Sequence, residues 1–211
     1  MRQSPSFKVT SMPEIEMNTH EATLERLFLA ARSQNGWRVE PVPDDALRAA
    51  YDIAKWGPTS MNTQPMRLLF LRTAEAKERL KPALSPGNIE KAMAAPVVAI
   101  IAYDTQFHTQ LPKVFPHNPG APGMFASNAT LSQGTAFRNG TLQGGYFMLA
   151  LRAVGLDVGP MSGFDAVKVD SEFFAASPWR ANFLCGIGYG DPAKVLDRLP
   201  RLEFGDVAQT L

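Results

Sequence analysis

The chain has 211 residues, of which 45% are hydrophobic and 19% charged. That composition fits a globular domain large enough to bury a core without a metal or disulfide staple, and it excludes a mainly disordered chain. Lys and Arg total 21 against 20 Asp and Glu, a net charge of +1, so neither a basic nucleic-acid-binding field nor an acidic tail is expected.

Residues 1–20 show neither helical nor strand periodicity and read as a flexible N-terminal arm; no apolar core segment marks them as a secretory signal. Residues 21–211 read as a single domain. Leu24, Leu27, Phe28 and Ala31 repeat at helical spacing and predict a helix that starts near His20 or Glu21 and ends before Asn35-Gly36. Pro43-Asp44-Asp45 opens a second helix with Leu47, Ala50, Tyr51 and Ala54 on its apolar face, ended by Gly57-Pro58. Leu68 to Leu71 predicts a short buried strand, and Thr73 an N-cap for the helix after it. A short helix over Asn88 to Ala94 follows Pro86-Gly87. Pro96 to Tyr103 is apolar on both faces, as in a central strand.

Residues 104–128 carry four prolines without periodicity and read as a lid or loop insertion, with a merely structural loop as the alternative. Thr130 to Val154 is the longest helical pattern. Gly134, Gly140, Gly144 and Gly145 lie inside it, which predicts either close approach of a neighbour, such as a second subunit, or a break near Gly140. Leu156 to Pro160 reads as extended, Asp165 as the cap of a further helix, and Asn182 to Tyr189 as a strand. Residues 191–211 form a tail able to add an edge strand or wrap a neighbour. The sum is a mixed chain of helices and strands.

The usual catalytic patterns are missing. His20, His108 and His117 have no metal-ligand spacing, and no phosphate loop or serine elbow occurs. Gly186-x-Gly188-x-Gly190 lacks dinucleotide-binding spacing and reads as a strand end. Cys185, the sole cysteine, sits in an apolar run and reads as a core residue. No segment is long and apolar enough to span a membrane, and a cytoplasmic location is expected. Any demanding chemistry would therefore fall to a bound organic cofactor.

Several motifs, in order, carry a resemblance: Asn35-Gly36-Trp37-Arg38, Lys55-Trp56-Gly57-Pro58-Thr59-Ser60, Gly87-Asn88-x-x-Lys91, Thr135-Ala136-Phe137-Arg138-Asn139, Gly155-Leu156-Asp157-x-Gly159-Pro160-Met161-Ser162-Gly163-Phe164-Asp165 and Arg198-Leu199-Pro200-Arg201-Leu202. Together they resemble the nitroreductase-like flavoprotein family, in its branch of malonic semialdehyde reductase (RutE) and HadB-type proteins. The resemblance implies an α+β fold with a central, mostly antiparallel sheet flanked by helices, in a domain-intertwined homodimer that binds FMN at the subunit interface.

For the cofactor it implies residue by residue that Arg32, Ser33, Asn35, Arg198 and Arg201 surround the phosphate. Asn88 and Lys91 would face the N1–O2 edge of the ring, and Pro160, Met161, Ser162 and Gly163 would approach N5. Pro58, Thr59, Ser60 and Asn62 would reach the flavin from the other subunit. The chain departs from the family's basic pattern at Ala31, Asn35 and Leu196, which leaves the phosphate on fewer charges, with Arg201 as a compensating candidate. The implied activity is NADH- or NADPH-dependent ping-pong reduction of a small carbonyl compound, with malonic semialdehyde as the named substrate. Nitro or quinone reduction is the nearest alternative, and a flavin-binding or storage protein the non-enzymatic one. No protein group is assigned the chemistry; Arg138, His117 and Tyr146 are open as proton donors.

Overall fold

Strand β2 (Val97–Asp104) is buried on both faces over its whole length. The computed structural model, which describes residues 21–211, explains why: alternate side chains of this strand enter two different cores. Val97, Ala99 and Ile101 join Leu47, Ala50, Phe147 and Leu151, whereas Val98, Ile100 and Ala102 join Leu80, Ala92, Val169 and Leu184. The expected N-terminal arm, residues 1–20, lies outside the described residues.

The sheet has four strands in the order β1-β2-β4-β3, every pair antiparallel. β1 is Met66–Leu71, β3 Asp157–Met161 and β4 Trp179–Gly188. β3 and β1 are therefore its two edges. Pro160 is tolerated within β3 because an edge strand has one unpaired side. One face carries α2 (Asp44–Ala54) and part of α7 (Ala129–Ala153); the other carries α3 (Ala74–Leu80), α4 (Pro86–Ala94) and α8 (Ala166–Phe173). This is the expected α+β architecture.

Several local expectations hold. Thr73 and Asp165 cap α3 and α8 by accepting from the Ala76 and Lys168 amides at 3.2 and 3.1 Å. α7 is one unbroken helix of 25 residues. Its glycines divide by face. A Cβ on Gly140 or Gly144 would meet Tyr103 at 2.9 Å or Phe183 at 2.7 Å, so these two let the helix lie close on the sheet. Gly134 and Gly145 face open space. Cys185 is buried, and burial pushes its thiol up to about 12, which leaves it inert.

Two expectations need correction. The first helix, α1 (Glu21–Leu24), continues only as a π-turn over Glu25–Leu29. The next residues instead run beside β3: the Gln34 amide donates to the Val158 carbonyl at 3.0 Å, and the Arg38 amide to Tyr189 at 2.8 Å. Pairing with the sheet outweighs helical spacing there. Residues 104–128 are not a bare loop. They hold a 3-10 turn (Phe107–Gln110), α5 (Leu111–Val114) and α6 (Ala121–Ala126), around a small core of Tyr103, Phe107, Leu111, Ala121, Phe125 and Ala136. Such short helices show no period in a sequence, and Pro112 and Pro122 sit in first turns, where a missing amide costs nothing. In the tail, α9 (Phe204–Val207) is the main regular element.

Trp37 locks the residue 31–38 segment to the sheet. A Cβ on Gly186 would meet its indole at 2.7 Å, and one on Gly188 at 2.9 Å, so the glycine alternation in β4 forms a floor for the ring. Its Nε1 donates to the Lys91 carbonyl at 3.0 Å, tying α4 to the same wedge. Trp37→Ala is expected to lower unfolding free energy by about 3 kcal/mol, and Gly186→Ala by about 1–3 kcal/mol through overpacking. Urea denaturation checks both; wild-type midpoints in the two variants would contradict this role for the ring.

Candidate functional site

The residues implied for the cofactor fall into two groups. The first follows the outer edge of β3. At its start Ser33 bridges Val158, and beside it opens a cavity of about 500 Å³ lined by Arg32, Ser33, Asn35, Arg198 and Arg201. Backbone carbonyls aim the arginines. Arg32 donates to the Leu196 carbonyl, Arg198 to Leu29 at 2.5 Å and to Ala31 at 3.3 Å, and Arg201 to Leu199 at 2.8 Å. None of these three is in an ion pair among the described residues, and a guanidinium has five N–H donors, so each keeps capacity for an anion. Asp197 shares the cavity. Ala31 and Leu196 line it as well as Asn35, so all three positions where the chain lacks a basic residue are at the site itself.

Four strand steps further, roughly 14 Å along β3, lie Ser162 and Gly163. Here Asn88 Nδ2 donates to the Gly163 carbonyl at 2.8 Å, and the Ser85 amide donates to the same oxygen at 3.0 Å. A Cβ on Gly163 would stand 2.7 Å from Asn88 Nδ2 and 3.2 Å from Ser85 Oγ. Glycine is therefore required so that this segment can seat against α4. Asn88 and Lys91 lie one turn apart on α4. The Lys91 carbonyl holds Trp37, while its ammonium has no hydrogen bond or ion pair among the described residues.

The second group is elsewhere. Pro58, Thr59, Ser60 and Asn62 precede β1, at the opposite edge of the sheet. At ordinary strand spacing the two edges are roughly 14 Å apart, so one chain does not bring the groups together. The loop is strained: Met61, Asn62 and Gln64 have φ of 49°, 50° and 42°, in the left-handed region. Asn62 Nδ2 donates to the Val114 carbonyl at 2.7 Å and its Oδ1 accepts from Gln64 at 2.9 Å, so this side chain is spent on holding the loop against α5.

Two buried residues of α7, to which the sequence assigned no role, fix that loop. Asn139 Oδ1 accepts from the Ser60 amide at 2.8 Å, and Gln143 Oε1 from the Met66 amide at 3.0 Å. Asn139, Gly140, Gln143 and Gly144 form one stripe on the inner side of α7. A polar pair among glycines in a helix interior was the available signal. The open candidates for proton transfer are dispersed. Arg138 is exposed, His117 is exposed with its ring 4.0 Å from Phe115, and the Tyr146 ring covers Gly57. Among the described residues no cluster fit for a metal occurs, and no helix is long and apolar enough to cross a membrane.

Asn139→Ala leaves the Ser60 amide unpaired and is expected to cost about 1–3 kcal/mol of stability. Hydrogen exchange at Ser60 should accelerate in that variant; unchanged exchange there would contradict the anchoring role.

The chain has clear counterparts among known proteins. A family model described as the nitroreductase family matches residues 29–189. A protein of Cupriavidus pinatubonensis named NADH dehydrogenase/NAD(P)H nitroreductase is 56% identical over 195 residues, covering 92% of this chain and 99% of its own. HadB of Ralstonia pickettii, which carries the same activity name, is 53% identical over 188 residues, covering 88% of this chain and 96% of its own. Among solved structures, the Bacillus subtilis nitroreductase ydfN is similar with a TM-score of 0.79 at 20% identity, covering 91% of this chain and 100% of its own. A nitroreductase from Exiguobacterium sibiricum, solved in complex with FMN, has a TM-score of 0.79 at 19% identity, covering 90% and 97%. Those two likenesses bear on the fold. The family match over most of the chain and the two close relatives establish that this protein belongs to the nitroreductase family.

Proposed function

We propose that the chain is an FMN-dependent NAD(P)H oxidoreductase, built as a homodimer with two flavin sites, that reduces a small carbonyl compound. The observation that carries this reading is the strip along β3, with an arginine-lined cavity at one end and the Asn88–Gly163 contact at the other. An elongated molecule with a phosphate at one end and a polar ring at the other suits that layout. The names of the close relatives support a nicotinamide reductant.

Bound FMN would supply the two-electron carrier between NAD(P)H and substrate. Arg32, Ser33, Asn35, Arg198 and Arg201 would hold its phosphate. Pro160, Met161, Ser162 and Gly163 would bring backbone at the end of β3 to the ring. Asn88 is already oriented by Gly163, and the Lys91 charge would favour the negative charge that reduction places on the N1–O2 edge. The protein's work is orientation and electrostatics, and it assigns no side chain to bond-making.

The second copy enters because Pro58, Thr59, Ser60 and Asn62 lie at the far edge of their own sheet. Supporting a dimer, α7 exposes Leu131, Phe137, Leu142 and Tyr146, and Trp56 beside the loop is 82% exposed. Leu196, Leu199, Leu202, Phe204 and Val207 leave the tail equally apolar and uncovered. The unpaired edge of β1 could accept such a tail from a neighbour. Residues 104–128 fit a cover over the substrate space, since Asn62 ties them to the loop.

Malonic semialdehyde, reduced to 3-hydroxypropionate, is the specific substrate we put forward. Nitroaromatic or quinone reduction is the second reading, favoured by the nitroreductase name of the relatives. The purified protein should be yellow or become so with FMN, sediment as a dimer, and lose its visible absorbance with NADH or NADPH under anaerobic conditions. A colourless protein that takes up no FMN would overturn the proposal, and a flavin that no nicotinamide bleaches would indicate storage. Comparing kcat/KM for malonic semialdehyde and for a nitroaromatic separates the two substrate readings.

A further inference from the structure

The cavity at the start of β3 contains one more cation. We propose that Arg152, in the last turn of α7, is a phosphate ligand of the bound flavin nucleotide and replaces the charge that Ala31, Asn35 and Leu196 lack. This rests on the FMN reading above and adds to it a residue that no motif in the sequence marks.

Arg152 lines the same cavity as Arg32, Ser33, Arg198 and Arg201. Its Nη1 donates to the Leu27 carbonyl at 3.1 Å, which fixes the planar group and leaves most of its donors uncommitted. The neighbouring carboxylate Asp157 faces a different arginine, Arg26, at 3.8 Å. The Arg152 guanidinium is half-buried, and burial lowers its pKa. A cation drawn partly out of water gains more from an anion than an exposed one does.

The cavity also needs this charge. It adjoins the C-terminal end of a 25-residue helix, where the peptide dipoles leave partial negative charge, and it contains Asp197. Both features repel a phosphate. A guanidinium in the last helical turn offsets the helix end and turns that corner of the cavity positive. Arg32 and Arg198 reach it from the backbone segments at either side, so Arg152 adds a third direction of contact.

Arg26 provides an internal control. It too clamps the first helix to the end of α7, donating to the Arg152 carbonyl at 2.9 Å and to Leu156 at 3.1 Å, yet it is not part of the cavity wall. The test titrates FMN and riboflavin, which lacks the phosphate, into wild type, Arg152→Met, Arg152→Lys and Arg26→Met, following flavin fluorescence. Circular dichroism confirms that each variant is folded. Loss of a charge-assisted contact predicts an FMN dissociation constant raised about ten-fold or more in Arg152→Met. Riboflavin affinity should change less than about two-fold, and Arg152→Lys should recover part of the FMN loss. Arg26→Met should shift both ligands alike. Equal weakening of FMN and riboflavin in Arg152→Met, or an FMN constant at the wild-type value, would overturn the assignment. If Arg152→Met does not fold, an FMN-to-riboflavin preference in Arg152→Lys equal to wild type would overturn it. Wild-type protein that binds neither flavin would overturn the cofactor reading itself.

Discussion

The order of strands in a single sheet governs the rest of this molecule. β2 and β4 occupy the middle, buried between two helical layers, and β3 and β1 are left as edges. Each edge carries its own polar segment. Along β3 lie the arginine cavity and the Asn88–Gly163 contact; before β1 lies the strained loop held by Asn139. The two edges are separated by β2 and β4, and the proposal that both segments serve one flavin therefore brings in a second copy. The exposed apolar residues of α7 and the tail are the surface that the proposed dimer would cover.

The two segments are held by different physics. The β3 side is fixed by packing: the indole of Trp37 lies on Gly186 and Gly188, and its N–H holds the end of α4 that bears Lys91. One wedge therefore sets both the residue 31–38 segment and the helix at the ring end. The β1 side is fixed by buried hydrogen bonds from Asn139 and Gln143, which hold three left-handed residues in place. Backbone strain of this kind persists only where its surroundings over-determine it, and here α7 supplies the constraint.

Much of this was legible in the sequence. The doubly apolar run of β2, the Thr73 and Asp165 caps and the buried Cys185 follow from composition and period alone, whereas the sequence left open a break of α7 near Gly140 that the structure does not have. The family resemblance named the arginines and the Asn88–Lys91 pair. What escaped was long-range. The first helix ends early because residues 33–38 pair with β3 and β4, which no local spacing reveals. The helices within residues 104–128 are too short to show a period. Arg152 looks like an ordinary helix-ending arginine until the tail is placed beside it. The packing of Gly163 against Asn88 and Ser85 is likewise a long-range contact.

The central claim, that each site combines the β3 edge of one copy with the β1-side loop of another, is tested most directly by complementation. One variant, Arg32→Ala with Arg198→Ala, disables the first half; another, Ser60→Trp, obstructs the second. Neither alone should retain FMN. Refolded together at equal amounts, random pairing makes half the dimers mixed, and each mixed dimer has one intact site, so FMN should return to about a quarter of all sites. Binding in the mixture no greater than the average of the two parents would contradict a site shared between copies.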